Sequence, residues 1–504
     1  MRVPARPDFG PTEQNTAHRA PDKGFSQAVA LSARTTRNIA FLLFLVAILL
    51  GGFLRFSDLG RLEMSDDEGA SWAAAAAPTI HEVISLQARL NPGKMAVHEV
   101  LLHEWMALFG DSIGTQRALS ATLGTITIAI VFWIGWGLCA PLPRDRAKDT
   151  ARSDGAMMVA ALGALIYATN LVTMKYTREA RMYPVMLTAT LAQVGCFVRA
   201  SRRGGLFSYA GTAFFAVVAI AAHFAAALVP ASEGLWILMM LARSGMRPIS
   251  EESRRAWRLV AALAVAAIAF FPLATSALRG AASAVEGGAI NWIKRPPIWA
   301  PVALFNKATG SFGFPVLFVA AAYGTVRGWR RERDAVAFCL IWMWGPPILM
   351  VVASYAAAPL FVERYALSSF APFFMLAGIG VWELGSPRLR AIGLAMVVAV
   401  SLGHVVVFNR KPHDAEWREA ALLGAANLHP GETMTTVPAY SISVVRFYLP
   451  PSDRDRTIAF VRGHEDAAVV LLRDHGVSPS VEATIHRQYP IELAHLRGVI
   501  VLRK

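Results

Sequence analysis

Three carboxylates in a row, Asp66, Asp67 and Glu68, stand in the stretch Arg61-Leu-Glu-Met-Ser-Asp-Asp-Glu-Gly-Ala-Ser-Trp72, directly after the first long apolar run of the chain. A carboxylate at the edge of an apolar phase can serve as a proton acceptor. Where a hydroxyl attacks an anomeric carbon in a water-poor site, a positioned base must take its proton, and a carboxylate is the usual choice. Charged groups beside a membrane span are costly unless they face water or a cavity, so the cluster marks a candidate site, with Asp67 and Glu68 as the catalytic pair and Asp66 beside them. The same acids would also cap a surface helix beginning near Gly69, with Ser65 or Asp66 as N-cap, and the two roles are compatible.

Cations with the chemistry to hold a phosphate recur at other apolar boundaries. In Tyr176-Thr-Arg-Glu-Ala-Arg-Met-Tyr183 the residues Arg178, Glu179 and Arg181 occupy a very short connection between two apolar runs. An arginine there can pair with a phosphate, bidentately when the geometry permits; the plainer reading is an interfacial Arg–Glu pair with snorkelling side chains. Phe361-Val-Glu-Arg-Tyr365 adds Arg364 as a phosphate partner and Tyr365 as an interface aromatic, with simple anchoring as the alternative. Lys94, in Asn91-Pro-Gly-Lys94, is a fourth cation at this level.

A metal is not called for by these residues. His98 and His103 are five positions apart, roughly 140° around a helix, whereas a helical zinc pair needs histidines at i and i+4. An acidic pair can hold a divalent cation, but a phosphate neutralised by arginines does not require one. His223, in an apolar run, reads as a hydrogen-bonded core histidine.

The elements that would position these groups are membrane helices. The chain has 504 residues, 55% of them hydrophobic, and a mean hydropathy of +0.42, outside the range of soluble globular domains. Runs that meet or approach the roughly 20 apolar residues a spanning helix needs occur near 39–57, 115–140, 156–175, 182–198, 207–228, 229–242, 259–278, 301–325, 335–358, 366–384 and 391–408, giving an α-helical polytopic membrane protein of about eleven spans. The net charge of +14 sits in short Lys/Arg clusters between these runs, the positive-inside pattern, so nucleic acid is not an expected partner. Cys139, Cys196 and Cys339 are far apart in or beside apolar runs and read as small apolar filler.

Arg144, Arg146, Lys148 and Arg152 form one basic connection, Arg199, Arg202 and Arg203 a second, and Arg243 to Arg258 a third; Arg327 to Arg333 and Arg388 with Arg390 complete the set. With the basic tail 1–38 they fall on one side, the cytoplasm. No small-residue cleavage site follows the first run, so it reads as an uncleaved anchor. Connections 58–114, 176–181, 279–300 and 359–365 then face outward, as does everything after residue 408. The protein is accordingly expected to be a multi-pass protein of the cytoplasmic membrane.

Loop 58–114 is long enough for short helices on the membrane surface: Val97, Val100, Leu101, Trp105 and Leu108 recur at helical spacing and would wall the acidic cluster. The connection 279–300, with Trp292, Lys294 and Arg295, suits a lipid-headgroup contact or a mobile loop. The domains read as a tail, 1–38; a membrane domain, 39–408; and a small α/β domain outside the membrane, 409–504, with helices near 414–428, 440–448 and 479–488. Its β-rich runs are Thr433–Val437, Thr457–Val461, Ala467–Leu472 and Val499–Leu502.

Taken together, Asp67-Glu68 after the first span, Leu101-Leu-His-Glu-Trp-Met-Ala-Leu-Phe-Gly-Asp111 with Arg117 and Ser120, Arg178-Glu-Ala-Arg-Met-Tyr183, Arg364-Tyr365 and Asp414-Ala-Glu-Trp-Arg418 resemble the polyprenyl-phosphate-sugar-dependent glycosyltransferases of the C-type membrane fold. That superfamily includes protein O-mannosyltransferases and lipid A aminoarabinose transferases. The resemblance runs in order over most of the chain. It implies that Asp67 is the catalytic aspartate with Glu68 its neighbour, and that Glu179 and Arg181 belong to a motif near the donor phosphate. It also implies an isoprenoid-phosphate donor, an outward-facing site and inversion at the anomeric carbon. Where many relatives carry His-Pro-Pro-Leu-Tyr-Tyr, this chain has Lys94-Met-Ala-Val-His-Glu99, which keeps a lysine of the aminoarabinose branch and lacks the paired prolines.

The expected activity is transfer of a sugar from a polyprenyl-phosphate donor to a lipid, glycan or protein acceptor at the outer membrane face, with membrane lipids around the chain and no cofactor required. Asp67 would be the base, Arg178, Arg181, Arg364 and Lys94 the phosphate ligands, and Glu179, Tyr183 and Tyr365 further site residues. The alternative is a transporter or flippase for a lipid-linked sugar, which would be expected to carry internal repeats and charged or broken helices near the midplane.

Overall fold

A computed structural model describes residues 23–91, 94–141, 150–286, 292–310, 312–410, 415–458, 466–474 and 477–504. The basic residues Arg2, Arg6, Arg19, Arg144, Arg146 and Lys148, together with Asp414 and positions 459–461, lie outside these.

The first helix, α1 (Lys23–Phe56), ends where the acidic stretch begins. Three short helices follow in the long loop: α2 (Asp66–Ala75), α3 (Ile80–Leu90) and α4 (Val97–Phe109). The chain then enters α5 (Ile113–Cys139) and returns through α6 (Thr150–Thr169). Asn170 interrupts it there by capping the single turn and a half of α7 (Leu171–Tyr176), its Oδ1 accepting from Val172 N at 3.0 Å. Beyond the 176–182 connection run α8 (Tyr183–Arg203), α9 (Leu206–Ala222), α10 (Leu228–Ser244) and α11 (Glu251–Glu286). The bundle closes with α12 (Ala300–Thr309), α13 (Gly313–Trp329), α14 (Arg333–Ala356), α15 (Phe370–Trp382) and α16 (Pro387–Asn409).

Seven helices among the described residues are long and apolar enough to cross a membrane, or eight if α12 and α13, bent by 115° at their junction, form one span. Every run expected to span is helical, but those near 156–175, 182–198 and 207–228 fall on α6 with α7, α8 and α9, which do not meet that measure. The reason for α8 is legible: it is buried along most of its length and carries Thr190, Gln193 and Ser201 inside the bundle, so its sides face protein rather than lipid. Helix α15 lies at the centre, between α6 and α13, at distances only glycine allows. A Cβ on Gly378 would stand 2.8 Å from Gly163 N, and one on Gly380 would stand 2.0 Å from Ala320 O.

After α16 the chain builds α17 (Trp417–Ala426), β1 (Met434–Val437), α18 (Ile442–Tyr448) and α19 (Pro451–Arg454). Strand β2 (Val469–Arg473), α20 (Pro479–Gln488), β3 (Ile491–Leu496) and β4 (Val499–Arg503) complete it. The sheet order is β1-β2-β4-β3, with β1 parallel to β2 and the other pairs antiparallel; the β3–β4 hairpin turns at Gly498, where φ is +73°. Of the expected strands, the run starting at Thr457 supplies an isolated bridge from Thr457 to Met434, and β3 was not expected. One face of the sheet shares a core with the long loop: Met64 and Trp72 are packed with Trp417, Met434, Val444 and Val469.

Candidate active site

Helix α2 is set by its own sequence. Ser65 caps it, and Glu68 returns the favour in a capping box: Glu68 N donates to Ser65 Oγ at 3.3 Å and Ser65 N donates to Glu68 Oε2 at 3.0 Å. This places Asp66, Asp67 and Glu68 in one turn but sends their side chains three ways.

Glu68 is buried and its two oxygens receive five donors. Arg117 of α5 gives Nε at 2.8 Å and Nη2 at 2.7 Å, Ala180 N comes from the 176–182 connection at 2.9 Å, and Ser65 supplies its N and its Oγ. Arg117 in turn donates to the carbonyls of Leu59, Leu62 and Glu63. Although burial pushes the Glu68 carboxyl up, these bonds hold it below its usual range. Asp66 points to the sheet and accepts from Arg473 Nη1 of β2 at 2.7 Å.

Asp67 turns into the bundle's end and remains 57% exposed. Arg181, 2% exposed, reaches it with Nη2 at 3.5 Å from Oδ1, while its Nη1 donates to the Asp67 carbonyl and, at 3.2 Å, to Ser71 Oγ. Burial raises the Asp67 pKa, but the combined fields of Arg181, Arg364 and Lys94 pull it lower still, so the carboxylate is ionised below its ordinary range. Lys94 is itself depressed to about 8, by burial first and by its neighbour Arg181 second.

Arg364 lies between two rings, with its guanidinium carbon 5.5 Å from the Tyr183 centroid and 5.4 Å from that of Trp292. Tyr365 packs on His223 at 4.6 Å, and His223 packs on Tyr183 at 5.9 Å. The Nδ1 of His223 accepts from Ala225 N at 3.2 Å. Behind Arg181, Ser71 Oγ donates to Glu99 Oε1 at 3.1 Å, and buried His98 is depressed to about 3 by desolvation and by Arg181. The buried Nε donors of both Arg181 and Arg364 have no acceptor among the described residues.

The structure therefore brings Asp67, Arg181, Arg364, Lys94, Tyr183 and Tyr365 together, so that with Trp292 all four expected outward connections contribute to the cluster. It directs Arg178 elsewhere. Arg178 donates to the Ser57 carbonyl and, with Glu179, Lys175 and Phe408, lines a separate small cleft. Glu179 is raised to about 7, by burial and by Glu68. Among the described residues no three His, Cys, Asp or Glu side chains are grouped to hold a metal ion. What the cluster can hold is an anion: three cations surround one carboxylate, with guanidinium donors unused.

Residues that sequence reasoning left out of the site are Trp292, His223, Ser71, His98 and Glu99. Trp292 and His223 lie far from the acidic motif in sequence, and no local spacing ties them to Asp67.

This architecture is shared with solved structures of ArnT and of an archaeal oligosaccharyltransferase, at sequence identities that speak for the fold alone. The solved structures it resembles include ArnT from Cupriavidus metallidurans in the apo state, at 14% identity and a TM-score of 0.57 over 92% of this chain and 97% of that one. ArnT bound to undecaprenyl phosphate gives 13% and 0.57 over the same shares. The archaeal oligosaccharyltransferase AglB from Archaeoglobus fulgidus, in complex with an inhibitory peptide and a dolichol-phosphate, gives 11% and 0.56 over 90% of this chain and 70% of that one. No protein-family model and no curated protein sequence matches the chain.

Proposed function

We propose that this chain is a membrane glycosyltransferase that moves a sugar from a polyprenyl-phosphate carrier to an acceptor at the outer face of the cytoplasmic membrane. The observation that carries the reading is Asp67, an ionised and accessible carboxylate ringed by Arg181, Arg364 and Lys94, with the Nε donors of both arginines unused. The fold likeness to ArnT bound to undecaprenyl phosphate and to AglB with a dolichol-phosphate supports a lipid-phosphate donor and does not favour a transporter.

In this mechanism Asp67 accepts the proton of the acceptor hydroxyl as its oxygen bonds to the anomeric carbon. The bond from that carbon to the phosphate oxygen breaks, and the electron pair leaves with the polyprenyl phosphate. Arg181, Arg364 and Lys94 stabilise the growing charge on that phosphate. Tyr183 and Trp292 fix the Arg364 plane, and Glu68 acts through Arg117 and Ala180 to hold Asp67 in place rather than touching substrate. The basic end of the bundle is assigned to the cytoplasm, which puts Asp67 and the C-terminal sheet outside.

The test is to supply membranes containing the protein with radiolabelled polyprenyl-phosphate sugars. Consumption of one donor, with label in a lipid, glycan or protein fraction, supports the reading and identifies the acceptor class. Survival of every donor argues against it.

A further inference from the structure

A polar cavity lies at the end of the bundle away from Asp67. Helices α5, α8 and α10 each run from the Asp67 end to this one, and α5, with 27 residues, is about 40 Å long. The cavity has a volume of about 420 Å³ and is lined by Arg152, Arg202, Arg243, Arg255, Arg331 and Arg333 against Glu252, Glu332 and Asp334, an excess of three positive charges. That volume is in the range of small-ligand sites.

Several of these arginines are already engaged. Arg152 bonds Glu332 at 2.8 Å, Arg243 bonds Asp334 at 2.7 Å, Arg331 bonds Glu383 at 2.8 Å, and Arg202 donates to the carbonyls of Gly137, Leu138 and Ala140 at the end of α5. Two donors remain. Arg255 gives one bond, from Nη1 to the Arg202 carbonyl at 3.0 Å, and its buried Nε has no acceptor among the described residues. Trp236, 8% exposed and part of the cavity wall, has a buried indole N–H in the same condition. Arg333 stacks on Trp329 at 5.3 Å, leaving its guanidinium edge available. Unused donors in a wall of excess positive charge are complementary to a compact oxyanion.

The geometry points to a phosphate-binding site here, separate from the Asp67 cluster, whose ligand is a phosphate group carried on an anionic lipid headgroup. The lipid source follows from location. The lining residues sit at the ends of apolar helices, where the headgroups of that leaflet lie, and the exposed apolar side chains of Leu206 and Phe207 flank the same end. A headgroup there would tie α6, α8, α10, α11 and α14 together without touching Asp67.

The experiment uses the full-length protein in detergent, titrated with phosphatidylglycerol, phosphatidylcholine or inorganic phosphate, with binding read by native mass spectrometry and by the shift of the thermal unfolding midpoint. Phosphatidylglycerol is expected to bind at least about tenfold more tightly than phosphatidylcholine. The Arg255→Gln/Arg333→Gln variant should lose at least that factor, and Trp236→Phe, which keeps an aromatic ring and removes one donor, should weaken phosphatidylglycerol binding more than phosphatidylcholine binding. Competition by inorganic phosphate would identify the free ion as a ligand of the same site; its failure to compete would leave the lipid as the source. Equal binding of the two lipids, or unaltered phosphatidylglycerol binding in both variants, would overturn the proposal.

Discussion

Glu68 and Arg117 meet through two bonds, Nε to Oε1 at 2.8 Å and Nη2 to Oε2 at 2.7 Å, with both side chains buried. Through this pair α2, α5 and the 176–182 connection share one anchor, so the position of Asp67 depends on a buried neighbour. Glu68→Gln keeps the shape but leaves Arg117 buried without its counter-charge, and should lower unfolding stability by about 3–5 kcal/mol. Asp67→Asn also removes a partner of buried Arg181, but through a longer contact of 3.5 Å from a carboxylate that is 57% exposed, and should cost less, on the order of 1 kcal/mol. Thermal unfolding of the purified variants in detergent separates the two roles; equal destabilisation would contradict the division between them.

The phosphate clamp makes a prediction that distinguishes three arginines of the sequence. Arg181→Lys and Arg364→Lys remove planar guanidiniums from positions facing the carboxylate, and each should lower kcat/KM for the lipid donor on the order of 10- to 100-fold. Arg178 spends its guanidinium on the Ser57 carbonyl, so Arg178→Lys should leave donor KM within about twofold. Steady-state kinetics with a solubilised donor checks all three.

Lys94 sets an alkaline limit. Its pKa is lowered to about 8, so its charge is present below that pH and is lost as pH rises through it. Donor KM should therefore rise between pH 7 and 9. Lys94→Arg keeps its charge throughout and should flatten that limb, whereas Lys94→Gln should show the high-pH KM at every pH. Asp67, held below the ordinary carboxylate range, contributes no loss in this window.

Gly69 governs the seam between α2 and the sheet. A Cβ there would fall 2.6 Å from Val444 Cγ2 and 3.0 Å from Val444 N in α18. Gly69→Ala must push α18 away and strain the Asp66–Arg473 bond beside it, with a cost of about 1–3 kcal/mol. Lower stability together with reduced transfer is the expected outcome; a variant with wild-type melting and turnover would show that the seam yields freely.

Much of this arrangement is written in local sequence. An N-cap at Ser65 and the sorting of basic and acidic connections to opposite ends follow from spacing and charge, although the helix begins at Asp66 rather than near Gly69. The split of roles within Asp66-Asp67-Glu68 does not, because it depends on Arg473 and Arg117, which arrive from elements far along the chain. Nor does the placement of Arg364 between Tyr183 and Trp292, a contact among three separate connections. Strand β3 escaped notice because it is an edge strand with a register shift between Glu492 and Ala494 and polar side chains at the surface, lacking the apolar run of its neighbours. The eleven apolar runs are all helical, but α8 is built to face protein, which composition alone does not distinguish from a helix facing lipid.

The most direct measurement compares sugar transfer by wild type and Asp67→Asn at matched expression, using the donor that wild-type membranes consume. Asparagine keeps the shape and removes the proton acceptor. Transfer should fall at least about 100-fold, in line with the loss of a general base, with an unfolding midpoint well above that of Glu68→Gln. Transfer at the wild-type rate would show that Asp67 is only part of the cap of α2, and would remove the base from the proposed chemistry.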